Sequence, residues 1–224
     1  MKKVDTISAH DQEAAQYDQQ VREYNSYGHD ALFGMSFEYV NPRDCLLDIG
    51  IGTGLASQSF AKVGLEVYGC DGSTEMLKVC ESKAFAKELK VFDLQSIPLP
   101  YSDGFFNHVI CCGVLHFFDD LKTIFEEVLR IIKPGGIFAF TVAAQTSDEE
   151  VATDDNLHGY LETPTPWGVS IFKHSGGYVN YLLKANGFDI LKTQKLLIRG
   201  GPEEGSDDML FRAYVARKKS AIYS

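Results

Sequence analysis

"LLDIGIGTGLA", Leu46 through Ala56, decides how the rest of this chain is read. An apolar run of strand length ends in Asp48, and Gly50, Gly52 and Gly54 follow at every second position. Leu55–Val63, directly behind them, carries helical spacing. A strand, a glycine-rich turn and a helix N-terminus make a site for a nucleotide-like ligand, because glycine lets backbone approach closely and adopts dihedrals that a side chain forbids. The dinucleotide fingerprint G-x-G-x-x-G puts its third glycine three residues after the second. Counted from Gly52, that position is Leu55. The acid two residues before Gly50 suits a ligand with a positive ammonium rather than a pyrophosphate. A bare strand-to-helix turn is the plainer alternative for the same glycines.

Outward from this stretch, apolar runs alternate with helical patterns. Strands are expected at Cys45–Ile49, Glu66–Cys70, Lys90–Asp93, His108–Cys112 and Ile137–Val142, with helices at Leu55–Val63, Thr74–Ala86 and Leu121–Ile132. This order predicts an α/β fold, a parallel sheet covered by helices on both faces. Gly64 and Lys133-Pro134-Gly135-Gly136 punctuate it. Residues 1–40 are rich in tyrosine and phenylalanine and read as one or two amphipathic helices over the core. Residues 143–175, with Asp148-Glu149-Glu150 and TPTPWG, read as an irregular insertion. A helix over Gly177–Ala185 and two strands, Phe188–Leu197 and Leu210–Arg217, predict a closing hairpin.

Composition narrows the function. A 224-residue chain with 45% hydrophobic residues buries a substantial single core. Its net charge of −10 argues against a nucleic-acid surface, which needs a basic patch. Cys45, Cys70, Cys80, Cys111 and Cys112 form no CxxC pair, which fits free thiols in a reducing cytoplasm and no metal site. The N-terminus has no apolar signal segment, and no run reaches the ~18 apolar residues of a membrane span.

Three further strand ends carry polar groups where ligands of open parallel sheets bind. Asp71 closes the second strand, placed to accept two hydrogen bonds from ribose hydroxyls, with Ser73 as the N-cap of the helix behind it. Asp93 and Leu94 follow the third strand, where a turn-capping role for the aspartate is the simpler alternative. Cys112, Gly113 and His116 end the fourth.

In this order, the stretches from Leu46 to Val142 resemble the core of class I S-adenosylmethionine-dependent methyltransferases of the type 11 group. The resemblance implies a Rossmann-like, doubly wound, mostly parallel seven-stranded sheet with an antiparallel C-terminal hairpin strand and an N-terminal helical cap. It implies one domain, with 1–40 as cap, 41–145 as cofactor-binding core, 146–175 as insertion or lid, and 176–224 as C-terminal helix and hairpin. S-adenosyl-L-methionine is the implied cofactor. Asp48, Gly50, Gly52 and Gly54 would wrap its methionine part, Asp71 its ribose, Gly72 and Met76 its adenosine, and Asp93 and Leu94 its adenine, with Cys112 and Gly113 at the fourth strand. Tyr17, in "QYDQQV", resembles a Y-D element that covers the cofactor in related enzymes. Asn107 stands where the family usually has aspartate, at a structural position.

Methyl transfer needs an aligned nucleophile and, for a neutral acceptor, a proton acceptor. His116 is the candidate base, or else a group that positions without titrating. His158, Tyr160, Trp167 and His174 could line an acceptor pocket. The reading is a methyltransferase acting on a small molecule, cytoplasmic, without nucleic-acid or membrane partners, as a monomer or weak dimer. The alternatives are an NAD(P)-dependent oxidoreductase, which Leu55 and the late hairpin oppose, and a cofactor-binding protein without catalysis.

Overall fold

A computed structural model of the chain describes residues 6–146, 159–165, 168–198 and 208–220. Seven strands form one sheet in the order β3-β2-β1-β4-β5-β9-β8. These are β1 (Cys45–Ile49), β2 (Glu66–Asp71), β3 (Ala86–Val91), β4 (Phe106–Cys111), β5 (Ile132–Ala143), β8 (Phe188–Ile198) and β9 (Met209–Lys218). The first five pair in parallel, and β9 runs antiparallel to both β5 and β8. The doubly wound sheet and its antiparallel hairpin are as the sequence pattern implies.

Successive side chains on each strand go to opposite faces, so one apolar run serves two cores. Leu47, Tyr68, Val109, Phe138 and Phe140 join α6 (Lys122–Ile131) and α7 (Gly176–Ala185) on one side. Leu46, Val67, Ile110 and Ala139 join α3 (Gly28–Ser36), α4 (Leu55–Lys62) and α5 (Thr74–Ser82) on the other. α6 buries Ile124, Phe125, Val128 and Ile131, one helical stripe.

Four sequence expectations need correction. The third strand is Ala86–Val91 rather than Lys90–Asp93, and the helix before it ends at Ser82 rather than Ala86. Ala84 takes φ 54°, which no helix continues through. The N-terminal segment holds three helices: α1 (Thr6–Glu13), α2 (Tyr17–Glu23) and α3. The described part of the insertion is not irregular: β6 (Tyr160–Pro164) and β7 (Ser170–His174) form a two-stranded antiparallel sheet.

At the sheet's N-terminal edge, polar side chains stitch neighbouring strands. Asn107 Oδ1 accepts from Cys45 N at 3.1 Å and Lys133 Nζ at 2.9 Å. His108 Nε2 donates to Asp44 at 2.9 Å. Gly136 packs so tightly there that an added Cβ would lie 2.1 Å from the Asn107 carbonyl oxygen. Gly136→Ala is therefore expected to destabilise the fold by about 3 kcal/mol, read as a lower urea midpoint with unchanged slope.

Candidate cofactor and acceptor site

Strand order reverses between β1 and β4, and ligands of such sheets sit beyond the strand ends at that point. The glycine loop lies there. Gly50 N and Ile51 N both donate to the Cys70 carbonyl, at 2.8 and 3.1 Å. Gly52 N and Ser73 N each donate to the Asp71 carboxylate at 2.8 Å. The loop is thus clamped to the tip of β2.

Its glycines have different jobs. A Cβ on Gly50 would lie 2.3 Å from Val114, and one on Gly54 2.5 Å from Phe85, so these two are required by packing. A Cβ on Gly52 or on Gly113 would meet nothing within 4 Å. Both face open space, one just after β1 and the other just after β4.

Asp48 is 1% exposed, and its Oδ2 has no hydrogen-bond partner among the described residues. Burial pushes its carboxyl up to about 8; the nearby Ser57 hydroxyl tempers the rise from outside hydrogen-bonding geometry, and Asp71 adds to it. Asp71 is itself raised by burial, against the pull of its two backbone N–H donors. The other groups that feel the Asp48 charge are thiols, Cys70, Cys80, Cys111 and Cys112, all raised by burial. No cation among the described residues acts on Asp48. A buried acid in such surroundings favours a positively charged group beside it.

The first two helices cover this cradle. Asp11 accepts from Ser73 Oγ at 2.5 Å and Glu75 N at 3.3 Å. Asp18 accepts from Thr53 Oγ1 and pairs with Lys83, both at 2.5 Å. Ile7 sits where a Cβ on Gly72 would be, 2.6 Å away. The Tyr17 phenol, at the start of α2, is held up to about 12 by burial and then by Cys112, Asp71 and Asp18. α3 instead packs on α4, β5 and β9. Asp11 carried no local signal, and Asp18 was visible only as the partner of Tyr17.

Past β4, Gly113 N donates to Thr141 Oγ1 at 2.9 Å. His116 follows in a single 3-10 turn, Leu115–Phe117. Burial, with His10 and His174 adding to it, holds its imidazole down to about 3. Its ring lies 4.0 Å from Phe117 and 5.3 Å from Phe211. Met76 is buried, its N–H capped by Ser73 Oγ at 3.1 Å as the sequence predicts. Asp93 is exposed and accepts from Gln95 N at 2.9 Å, the turn-capping arrangement, and Leu94 is buried in the core. His158 and Trp167 lie outside the described residues.

Residues 47–140 match the family described as a methyltransferase domain. A demethylmenaquinone methyltransferase from Beutenbergia cavernae is 33% identical over 123 residues, 54% of this chain and 49% of that one. A malonyl-[acyl-carrier protein] O-methyltransferase from Serratia marcescens is 29% identical over 144 residues, 64% of this chain and 54% of that one. The crystal structure of Burkholderia thailandensis 1,6-didemethyltoxoflavin-N1-methyltransferase, with S-adenosylhomocysteine bound, has the same fold. Its TM-score is 0.65 at 14% identity, covering 97% of this chain and 92% of that one. Over residues 47–140 this chain is similar to S-adenosylmethionine-dependent methyltransferases. The matches to the curated methyltransferases span about half of their length.

The site fits the family's cofactor, S-adenosylmethionine. The Asp48 carboxyl, its Oδ2 without a partner among the described residues, would suit an ammonium, the Asp71 carboxylate would suit ribose hydroxyls, and a Cβ on Gly52 or Gly113 would meet nothing within 4 Å. This methyltransferase core should separate two glycine substitutions. Gly54→Ala is expected to lower thermal stability sharply, whereas Gly52→Val should leave a folded protein that has lost cofactor binding, by thermal scans and titration calorimetry.

The buried acids and histidines also set a pH optimum for the cofactor-free protein. His108, His116 and His174 are all lowered by burial, so their contribution is full above 6.5 and falls away as acid protonates the unfolded chain. Asp48 and Asp71 are raised, so theirs is full below 3.8 and is lost as pH climbs, for Asp48 through about 8. Between 6.5 and about 8, Asp48 stays protonated in the fold while it is ionised in the unfolded chain, which lowers stability by about 1.4 kcal/mol per pH unit. The melting temperature should fall from pH 6.5 to 8, and Asp48→Asn should flatten that fall.

Proposed function

We propose that the protein is a methyltransferase that binds S-adenosylmethionine over the β1–β4 switch point and methylates a small-molecule acceptor in the cytoplasm. The observation that carries this reading is the buried Asp48 carboxyl at the end of β1, its Oδ2 without a partner among the described residues, directly before the glycine loop. When bound, the cofactor supplies an electrophilic methyl: the acceptor's lone pair takes the carbon, the carbon–sulfur bond breaks toward sulfur, and the acceptor's proton goes to solvent.

The chain's own residues bind and orient. Asp48 holds the ammonium and Asp71 the ribose diol, while the glycine backbone fixes the distance between them. Tyr17 and the α1–α2 pair close over the strand ends through Asp11 and Asp18, excluding water from the reacting atoms. The relatives' names point to compact acceptors or acceptor groups: demethylmenaquinone, 1,6-didemethyltoxoflavin and a malonyl group on its carrier. No helix among the described residues is long and apolar enough to cross a membrane.

Calorimetry with S-adenosylhomocysteine tests the reading. Binding is expected, and Asp71→Ala should weaken it about tenfold or more, since bonds to a charged carboxylate contribute ~1.5–3 kcal/mol. Unchanged affinity in a folded Asp71→Ala protein, or binding of NADH instead, would refute it.

A further inference from the structure

His116 and His174 come from different elements, and each ring keeps an Nδ1 that is buried with no partner among the described residues. They are 8% and 1% exposed. His174 Nε2 lies 3.0 Å from the Phe118 carbonyl oxygen. A carbonyl only accepts, so Nε2 holds the ring proton and Nδ1 presents a lone pair. His116 stands three residues beyond Gly113, and His174 bridges to Ala144 just past the end of β5. Both therefore sit at the sheet end that carries Asp48 and Asp71.

The surroundings are apolar. Phe117 and Phe211 flank His116, and Phe211 continues into a cluster with Ala143 and Ile171, backed by Leu196, Ile198 and Met209. Tyr160 and Tyr178 pack on the His174 ring. The titratable groups that act on the two histidines are His10 and His174 for His116, and Asp119 and Asp120 for His174. None is a lysine or arginine.

We infer that His116 and His174 form the polar half of the acceptor site, and that the His174 Nδ1 lone pair receives the O–H or N–H of an uncharged, ring-bearing acceptor rather than a carboxylate, with His116 Nδ1 as the second polar contact. This rests on the methyltransferase reading above. Two neutral imidazoles walled by aromatic rings hydrogen-bond a phenol, an enol or a heteroaromatic N–H, and the rings cover its apolar body. A carboxylate beside these rings would meet no lysine or arginine that acts on either histidine among the described residues, and would have Asp119 and Asp120 nearby, which buried charge does not tolerate. Burial holds the two imidazoles near 3 and 4, so both are neutral at pH 7 and too weak as bases to remove a phenolic proton. They position the acceptor.

The test begins with S-adenosylhomocysteine calorimetry on the whole protein. Next, S-adenosyl-[methyl-3H]methionine is incubated with a macromolecule-free metabolite extract, and the labelled product is treated with mild alkali. Methyl esters of carboxylates release volatile methanol, whereas aryl ethers and N-methyl rings keep their label. The expected product is alkali-stable and extracts into organic solvent. His174→Phe should raise the extract concentration needed for half-maximal rate about tenfold or more, with S-adenosylhomocysteine affinity and melting temperature kept. His174→Asn should recover part of the loss. Alkali-volatile label, no labelled product from a protein that binds S-adenosylhomocysteine, or a His174→Phe effect explained by lost cofactor binding or unfolding would each overturn the inference. Absence of S-adenosylhomocysteine binding would remove the cofactor reading, and this inference with it.

Discussion

The Cys70 carbonyl is the joint from which the site is built. By accepting both Gly50 N and Ile51 N, it turns the chain sharply at the end of β1, and one residue later Asp71 captures Gly52 N. Three consecutive backbone donors after β1 are thereby fixed by two consecutive residues of β2. Only left-handed backbone follows such a path, and Gly50, Gly52 and Gly54 all take it, with φ of 69°, 52° and 86°. α4 then starts where the turn leaves it, and its N-terminus faces the cradle. Without the β1–β2 pairing these glycines would be the most flexible part of the chain.

A second constraint follows from the first. Asp48, on β1 just before the turn, lies in the sheet interior, where its Oδ2 has no partner among the described residues. Such a group weakens the empty protein and makes a cationic ligand part of its stability. The neutral histidines beyond β4 and on β7 weaken it in the opposite pH direction. Strain of this kind concentrates at functional sites, because a perfectly satisfied site has no unmet need for a ligand to fulfil.

The covering helices complete the arrangement through side chains that also serve the cradle. Ser73 caps α5 and hydrogen-bonds Asp11, and Thr53 sits within the glycine loop while it donates to Asp18. Closing α1 and α2 therefore acts directly on the loop and on the helix behind Asp71.

The sequence by itself determined the sheet's centre and its cofactor loop. β1, β2, β4 and the strand part of β5 are apolar runs with few readings, and the helices after β1 and β4 carry a 3.6-residue stripe. The placement of Asp48, the glycines and Asp71 was legible because it depends on neighbours only a few residues away, or on the tip of a strand. β3 was not, because Ala86–Val91 is a half-exposed edge strand, AKELKV, whose polar composition hides its pairing with β2. Lys83, Ala84 and Phe85 likewise continued a helical pattern that Ala84's positive φ ends.

Only the tertiary structure decided the rest. Asp11 reaches Ser73 across 62 residues, and Asp18 reaches Thr53 across 35, with no local pattern to announce either bond. The same holds for His116 and His174, on a turn after β4 and at the end of β7, which meet because the β6–β7 pair docks against the end of β5. Periodicity records which face of an element is buried. It does not record which distant polar group is buried beside it, because that depends on how elements pack.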